Sequence, residues 1–394
     1  MKHTHACLIL PATALVFAMA CGNSDSSFDA GVGDDGGAQI FDAGASDAPV
    51  PVPMTRFLVA GDDAAHGIFD FSITYDSNGV GWMAYSGLET PIGTISLRLA
   101  RSDDKGASWT FVQVLNAASN DTVDVGGVPT AGQWRHEIST IVNDPMDPDP
   151  SRRWKLYWHE YFYDGVDSHY LTHGWLAARY APAPTGPWSA REILFGPPLL
   201  ESQFSPTLEL NTLAPSILSD CLFHIEPGAM VYDNDLYFAF WCLTSANHEE
   251  FRTELIKSEN HGDTWSFVGE MTSSADALPF SALNFTAPSL GTYQGDPILI
   301  ITPQRTGPGL GGVEVVSSYA GCMAVRFADL NAATLERNGS GELQPLAILE
   351  GDETLFRGAC GYHEENTGGG IVMSQFNLDD PIFFQGWNTH RLVQ

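Results

Sequence analysis

The chain has 394 residues, six cysteines and a formal net charge of −30. Such an acidic chain excludes nucleic acid and anionic membrane surfaces as partners, and the charge itself serves solubility. Ten Trp and twelve Tyr supply core packing and, in an exported protein, faces on which sugar rings stack.

The N-terminus opens with Lys2 and a nearly continuous apolar run from Ala6 to Ala20. The run is too short for a membrane span and ends in small residues, as an export signal does. Ala18-Met19-Ala20-Cys21 reads either as an A-x-A cleavage site or as a sequence that resembles a bacterial lipobox, with Cys21 as the lipid-bearing residue. Cysteine parity favours lipidation. Cys7 leaves with the signal, and a lipidated Cys21 leaves an even set, Cys221, Cys242, Cys322 and Cys360, for disulfides. Residues 22–53 are rich in Asp, Gly, Ala, Ser and Pro and hold no Lys or Arg. They cannot bury enough apolar surface to offset their ordering entropy. The expected organisation is therefore a signal over 1–20, a lipidated Cys and flexible acidic linker over 21–53, and one folded domain over 54–394, long enough for a large core. The protein would be exported and anchored to a membrane through Cys21, in the periplasm or at the cell surface.

From Met54 onward no long amphipathic pattern stands out. Short runs of Val, Ile, Tyr, Phe and Trp alternate with Gly, Asp, Asn and Pro turns, an all-β pattern. A unit of strand, tight turn and aromatic-rich return strand recurs. It begins at Phe69-Asp70-Phe71-Ser72-Ile73, Trp134-Arg135-His136-Glu137-Ile138, His224-Ile225-Glu226-Pro227, Thr286-Ala287-Pro288-Ser289 and Arg357-Gly358-Ala359-Cys360. Third and fourth strands follow in most units. The turn between them reads Ser102-x-Asp104-x-Gly106-x-x-Trp109 in the first unit and Ser258-x-Asn260-x-Gly262-x-x-Trp265 in the third. Asp or Asn binds turn amides, Gly supplies the unusual backbone angle and Trp packs beneath. Four strands in each of five units give an all-β, five-bladed β-propeller of antiparallel blades. Arg56-Phe57-Leu58-Val59 would pair with the last blade and close the ring, leaving no open edge. Cys221 and Cys242 flank the first hairpin of unit three, which makes them partners and leaves Cys322 with Cys360 across units four and five. The sequence alone does not fix that connectivity.

The S-x-[DN]-x-G-x-x-W turns resemble the Asp-box of sialidases and related propellers. The five strand-start motifs, together with Pro184-Thr185-Gly186-Pro187-Trp188, resemble glycoside hydrolase family 43 and its five-bladed relatives, over about residues 55–394. That resemblance implies a carbohydrate substrate. It implies Asp70 as a general base, Glu226 as a residue that tunes the acid and positions substrate, and Arg357 as a substrate ligand. The family's general acid belongs to an E-G-P or E-x-P motif in blade four, where this chain has Thr286-Ala287-Pro288. Hydrolysis of a glycoside needs two carboxylates, so a displaced acid is required, with Glu137 the first candidate and Glu226 or Glu364 behind it. Trp134, Arg135, His136, His224 and His363 complete the expected substrate-binding set. No cofactor is required and no metal ligand set is assigned, although related channels leave room for Ca2+, and the Asp147/Asp149 loop is either a calcium loop or an ordinary solvated one. A monomer is expected. Two rival readings stand beside hydrolysis. One is a propeller that binds carbohydrate or protein without turnover. The other is a sialidase-like exo-glycosidase using Arg135, Arg305 and Arg357.

Overall fold

The computed structural model describes residues 38–39, 51–52, 54–89, 93–244, 251–308, 314–350, 356–364, 370–376, 382, 384–389 and 392. The export signal, Cys21 and most of the linker lie outside the described residues. Within the linker, Ala38–Gln39 pairs with Pro51–Val52.

The remaining strands form five antiparallel sheets arranged as a five-bladed β-propeller. The inner strands are Ile68–Tyr75, Val128–Asn143, Phe223–Tyr232, Asn284–Tyr293 and Phe356–His363. Blade two is enlarged by a hairpin that pairs Ser119–Val125 with the first half of its inner strand, and blade four by Glu314–Tyr319. Ring closure differs in detail from expectation. Met54–Phe57 pairs with the outer strand of blade five, with Phe57 opposite Gly386. The chain then turns at exposed Leu58, and Val59–Ala60 runs parallel to the outer strand of blade one. One short segment therefore serves two blades rather than one.

The core is a set of wedges between neighbouring blades. The second strands of blades three and four are buried on both faces, so residues 236–243 and 298–301 are continuous apolar runs rather than alternations. In blade four, Leu299 and Ile301 pack with Leu255 and Met230 of blade three. Ile298 and Ile300 on the other face pack with Ile371 and Met373 of blade five. Two disulfides reinforce this arrangement. Cys221–Cys242 closes a loop onto blade three, and Cys322–Cys360 joins blade four to blade five. The two S-x-[DN]-x-G-x-x-W turns share one bond set. Ser102 Oγ and Ser258 Oγ each accept the Gly N–H at 2.7 Å, while Asp104 and Asn260 accept the amides of Ser108 and Thr264.

Candidate functional site

Every inner strand carries a β-bulge at the same place, where its pairing with the second strand shifts. One residue of each bulge has a positive φ: Asp70 (53°), Ile138 (50°), Glu226 (59°), Ala287 (48°) and Ala359 (49°). None is glycine, so each position carries backbone strain of about 1–3 kcal/mol, a cost concentrated at functional sites in general. The five residues ring the channel axis and line a cavity of about 30 Å³, which is room for a water molecule. The bulge turns the Asp70 and Glu226 side chains out of strand alternation and into this ring.

Two further strand-start residues stand immediately before a bulge, Glu137 in blade two and Thr286 in blade four. Thr286 occupies the position where the sequence lacks a carboxylate. Its hydroxyl donates to Glu226 Oε2, and the amide of Ala287 donates to the same oxygen at 2.6 Å. Asp70 Oδ2 accepts from Ser86 Oγ at 3.3 Å, and its carboxylate also takes the amide of Ile138. Asp70, Glu137 and Glu226 are buried, at 9%, 3% and 2% exposure, and their charges are felt between blades. Burial first, then the charges of Glu137 and Glu226, push the Asp70 carboxyl well above its usual range. Burial pushes Glu137 up to about 7 against the opposing pull of Arg135 and Tyr161. Burial likewise pushes Glu226 up to about 7, although its two donors oppose the shift. These are the desolvation and like-charge effects expected where carboxylates share a dry site.

Sequence reasoning did not anticipate the tyrosines. Arg135 donates to Tyr161, and Tyr161 bonds Glu137. Glu137 Oε1 and His159 Nδ1, both buried, have no hydrogen-bond partner among the described residues. Burial holds His159 neutral, with its pKa lowered to about 3. Half-buried Tyr319 feels all three carboxylates, and together with burial they push its hydroxyl far up. Alternation contained a signal for Tyr161: it lies opposite Arg135 in the pairing and therefore on the face of Glu137. Tyr319 comes from the extra hairpin of blade four, which no other blade repeats at that place among the described residues.

Several expected site residues do not reach this ring. Trp134 and His136 alternate with Arg135 and Glu137, so they point to the opposite face. Trp134 packs on Trp175 and Phe162 and donates to Asp121. His136 Nδ1 accepts from Trp158 at 3.2 Å. His224 Nε2 lies 3.0 Å from Asn211 Oδ1, and burial lowers its pKa to about 3. His363 and Glu364 stand at the other end of the channel. His363 lies 2.7 Å from the Tyr75 hydroxyl and 3.0 Å from Asn388, and Glu364 borders that far mouth. The arginines have separate partners. Arg135 lies 3.4 Å over the Tyr163 ring, Arg305 donates to the Phe280 carbonyl and Arg357 donates to Gln375 at 2.9 Å.

In the acidic loop of blade two the carboxylates are engaged by protein groups. Asp149 caps a short turn by accepting from Ser151. Asp144 and Asp147, near His261, instead hold the buried ammonium of Lys155 at 3.4 and 2.5 Å. In the channel, calcium would need six to eight oxygens. There the oxygens of Asp70, Glu226, Ser72, Thr140 and Ser289 already accept hydrogen bonds within and between blades.

No protein-family profile and no curated protein sequence matches the chain. Solved structures do resemble it. A thermostable family-43 glycoside hydrolase shares 10% identity at a TM-score of 0.48, covering 84% of this chain and 90% of that one. Zg3597, a family 117 glycoside hydrolase from Zobellia galactanivorans, shares 11% at a TM-score of 0.48, covering 89% and 90%. The Hadza microbial sialidase Hz136 shares 13% at a TM-score of 0.46, covering 80% of this chain and 54% of that one, so the chain spans about half its length. The chain itself is a five-bladed β-propeller with a cluster of buried carboxylates at one end of its channel.

Proposed function

We propose that this propeller hydrolyses glycosidic bonds at the channel end where Asp70, Glu137 and Glu226 meet. The observation that carries this reading is that Asp70, Glu137 and Glu226, from three blades, are buried at one end of the channel, each with a raised proton affinity. Glu137, poised near neutrality with one oxygen unpartnered, protonates the bridging oxygen, so the C–O bond breaks and the leaving sugar departs as an alcohol. Asp70 takes a proton from the water that attacks the anomeric carbon. The coupling favours this division of labour. A protonated Glu137 removes one of the two charges that hold Asp70 neutral, so the state with the acid loaded is the one in which the base ionises most readily. Glu226 holds a substrate hydroxyl and tunes both neighbours. Arg135 and Tyr161 orient Glu137; after the products leave, Asp70 gives up its proton to solvent water and Glu137 regains one from it, and Arg357 is a sugar ligand at the blade-five edge.

The test is product release by the full-length chain from a panel of polysaccharides and aryl glycosides, beside Asp70→Asn. Release that disappears on substitution supports the reading; no release from any member of the panel ends it. One observation favours a second reading, a sugar-binding propeller without turnover. Asp70 and Glu226 both accept the bulge amide of the next blade, which is a structural task. That reading expects tight glycan binding, no release and a lowered melting temperature for Asp70→Asn. Under either reading the protein is an exported lipoprotein, in keeping with its two disulfides. Cys21→Ser then moves the protein from the membrane to the soluble fraction.

A further inference from the structure

A groove of about 900 Å³ lies between the outer parts of blades two and three. Its walls are two turns at the same level of the ring. One is the turn closed by Trp188, which follows Gly174–Ala181 of blade two. The other is the turn closed by Trp265 in blade three. Strand register puts both turns at the end away from the carboxylates. Ala181 pairs with Trp154 and Ser258 with Leu236, whereas Glu137 pairs with His159 at the opposite end of the same sheet. No part of the cluster described above lines this groove.

Its chemistry is specific. Trp188 and Trp265 are half-buried, and neither indole N–H has a hydrogen-bond partner among the described residues. Both N–H groups are buried, so each ring meets the groove as apolar surface. Arg152 lies 4.6 Å over the Tyr180 ring and pairs with Asp263 across the two blades. The Tyr180 hydroxyl donates to Glu192 at 2.9 Å. The polar rim is therefore held in place before any ligand arrives. The volume falls within the roughly 300–1,000 Å³ of sites that take small organic ligands. Aromatic faces beside fixed hydrogen-bonding groups match a sugar, whose C–H face is apolar and whose edge is hydroxyl. Charge narrows the class. Asp149, Glu192 and Asp263 line the groove against the single cation Arg152, on a chain whose net charge is −30. Sugars bearing carboxylate or sulfate are repelled.

We propose that this groove is a second carbohydrate site, which holds a segment of an uncharged polysaccharide on the face of the ring opposite the carboxylate cluster. It requires the groove and not the hydrolytic chemistry, so it stands or falls separately from that reading.

The experiment is affinity electrophoresis of the full-length chain in native gels containing arabinan, xylan, hydroxyethyl cellulose or polygalacturonate. At least one of the three uncharged polymers should retard the protein, and polygalacturonate should not. Trp188→Ala should weaken the retardation constant tenfold or more, and Trp188→Phe, which keeps a stacking face and the packing of the turn, should recover most of it. Asp70→Asn should bind as tightly as the parent, and Trp188→Ala should turn over small aryl glycosides as the parent does. Equal retardation of Trp188→Ala and parent overturns the proposal. So does loss of retardation in Asp70→Asn, which would put the polymer at the channel. Retardation by polygalacturonate alone, or by no polymer, also overturns it, while leaving aryl-glycoside turnover as an independent measure of the carboxylate site.

Discussion

The two ends of the propeller channel hold similar residues in opposite electrostatic states. At the end formed by the C-terminal residues of the inner strands, Asp144 and Asp147 are buried around Lys155, and His363 is satisfied by Tyr75 and Asn388. At the other end, Asp70, Glu137 and Glu226 are equally buried, and the charged group nearest them, Arg135, is shared with the Tyr161 hydroxyl and the Tyr163 ring. A fold that wanted only stability would compensate both ends. The contrast sets an end whose buried carboxylates face an ammonium against one whose carboxylates are held by hydroxyl and amide donors, the arrangement that the proposed hydrolysis uses. A raised proton affinity alone does not make the distinction. Glu254 is also pushed up to about 8 by burial, yet it lies in a middle strand beside Arg252, away from the channel.

The largest effect expected is on turnover. Asp70→Asn or Glu137→Gln should lower kcat/KM by about 10²–10⁴, while Glu137→Gln leaves the melting temperature unchanged or raises it. The opposite end should answer in reverse. Lys155→Met leaves two buried carboxylates without their ammonium and should cost about 3–5 kcal/mol of stability by denaturant unfolding, with activity retained in the fraction that stays folded. Unfolding as a function of pH separates the ends again. Glu137 and Glu226 titrate near 7 when folded, against a usual value of 4.5. Between those values only the folded state keeps their protons. Stability should therefore fall as pH rises from about 5 to about 8, by on the order of 3 kcal/mol for each group, and Glu226→Gln should flatten the fall. Smaller effects should come from the joints between inner strands. Two residues after each bulge stands either a hydroxyl that accepts the next blade's amide, as in Ser72 to Ile141 at 3.0 Å and Thr140 to Ala229 at 3.2 Å, or a glycine. At Gly361 an added methyl would lie 2.1 Å from the Phe71 carbonyl, so Gly361→Ala should cost about 1–3 kcal/mol. Ser72→Ala loses a hydrogen bond and should cost about 1 kcal/mol.

The five blades were legible because each inner hairpin repeats a strand, a tight turn and an aromatic return. Even the units with the faintest motifs, at Thr286 and Arg357, form blades. The positions of Asp70 and Glu226 were legible as strand starts, but the bulge that rotates them inward was not, since it depends on pairing with a second strand. The same gap misdirected Trp134 and His136, whose face is fixed by their phase relative to the bulge. Tyr319 and the split of residues 54–60 between two blades are tertiary facts with no repeating signature.

That split has a consequence in time. Met54–Phe57 is synthesised before any other strand of the ring, yet its partner, Phe384–Thr389, is the last of the ring's described strands in chain order. Their sequence separation gives the closing contact a very high contact order. The first strand of the ring to emerge is therefore the last to be placed, and the ring cannot close until Phe384–Thr389 has been made.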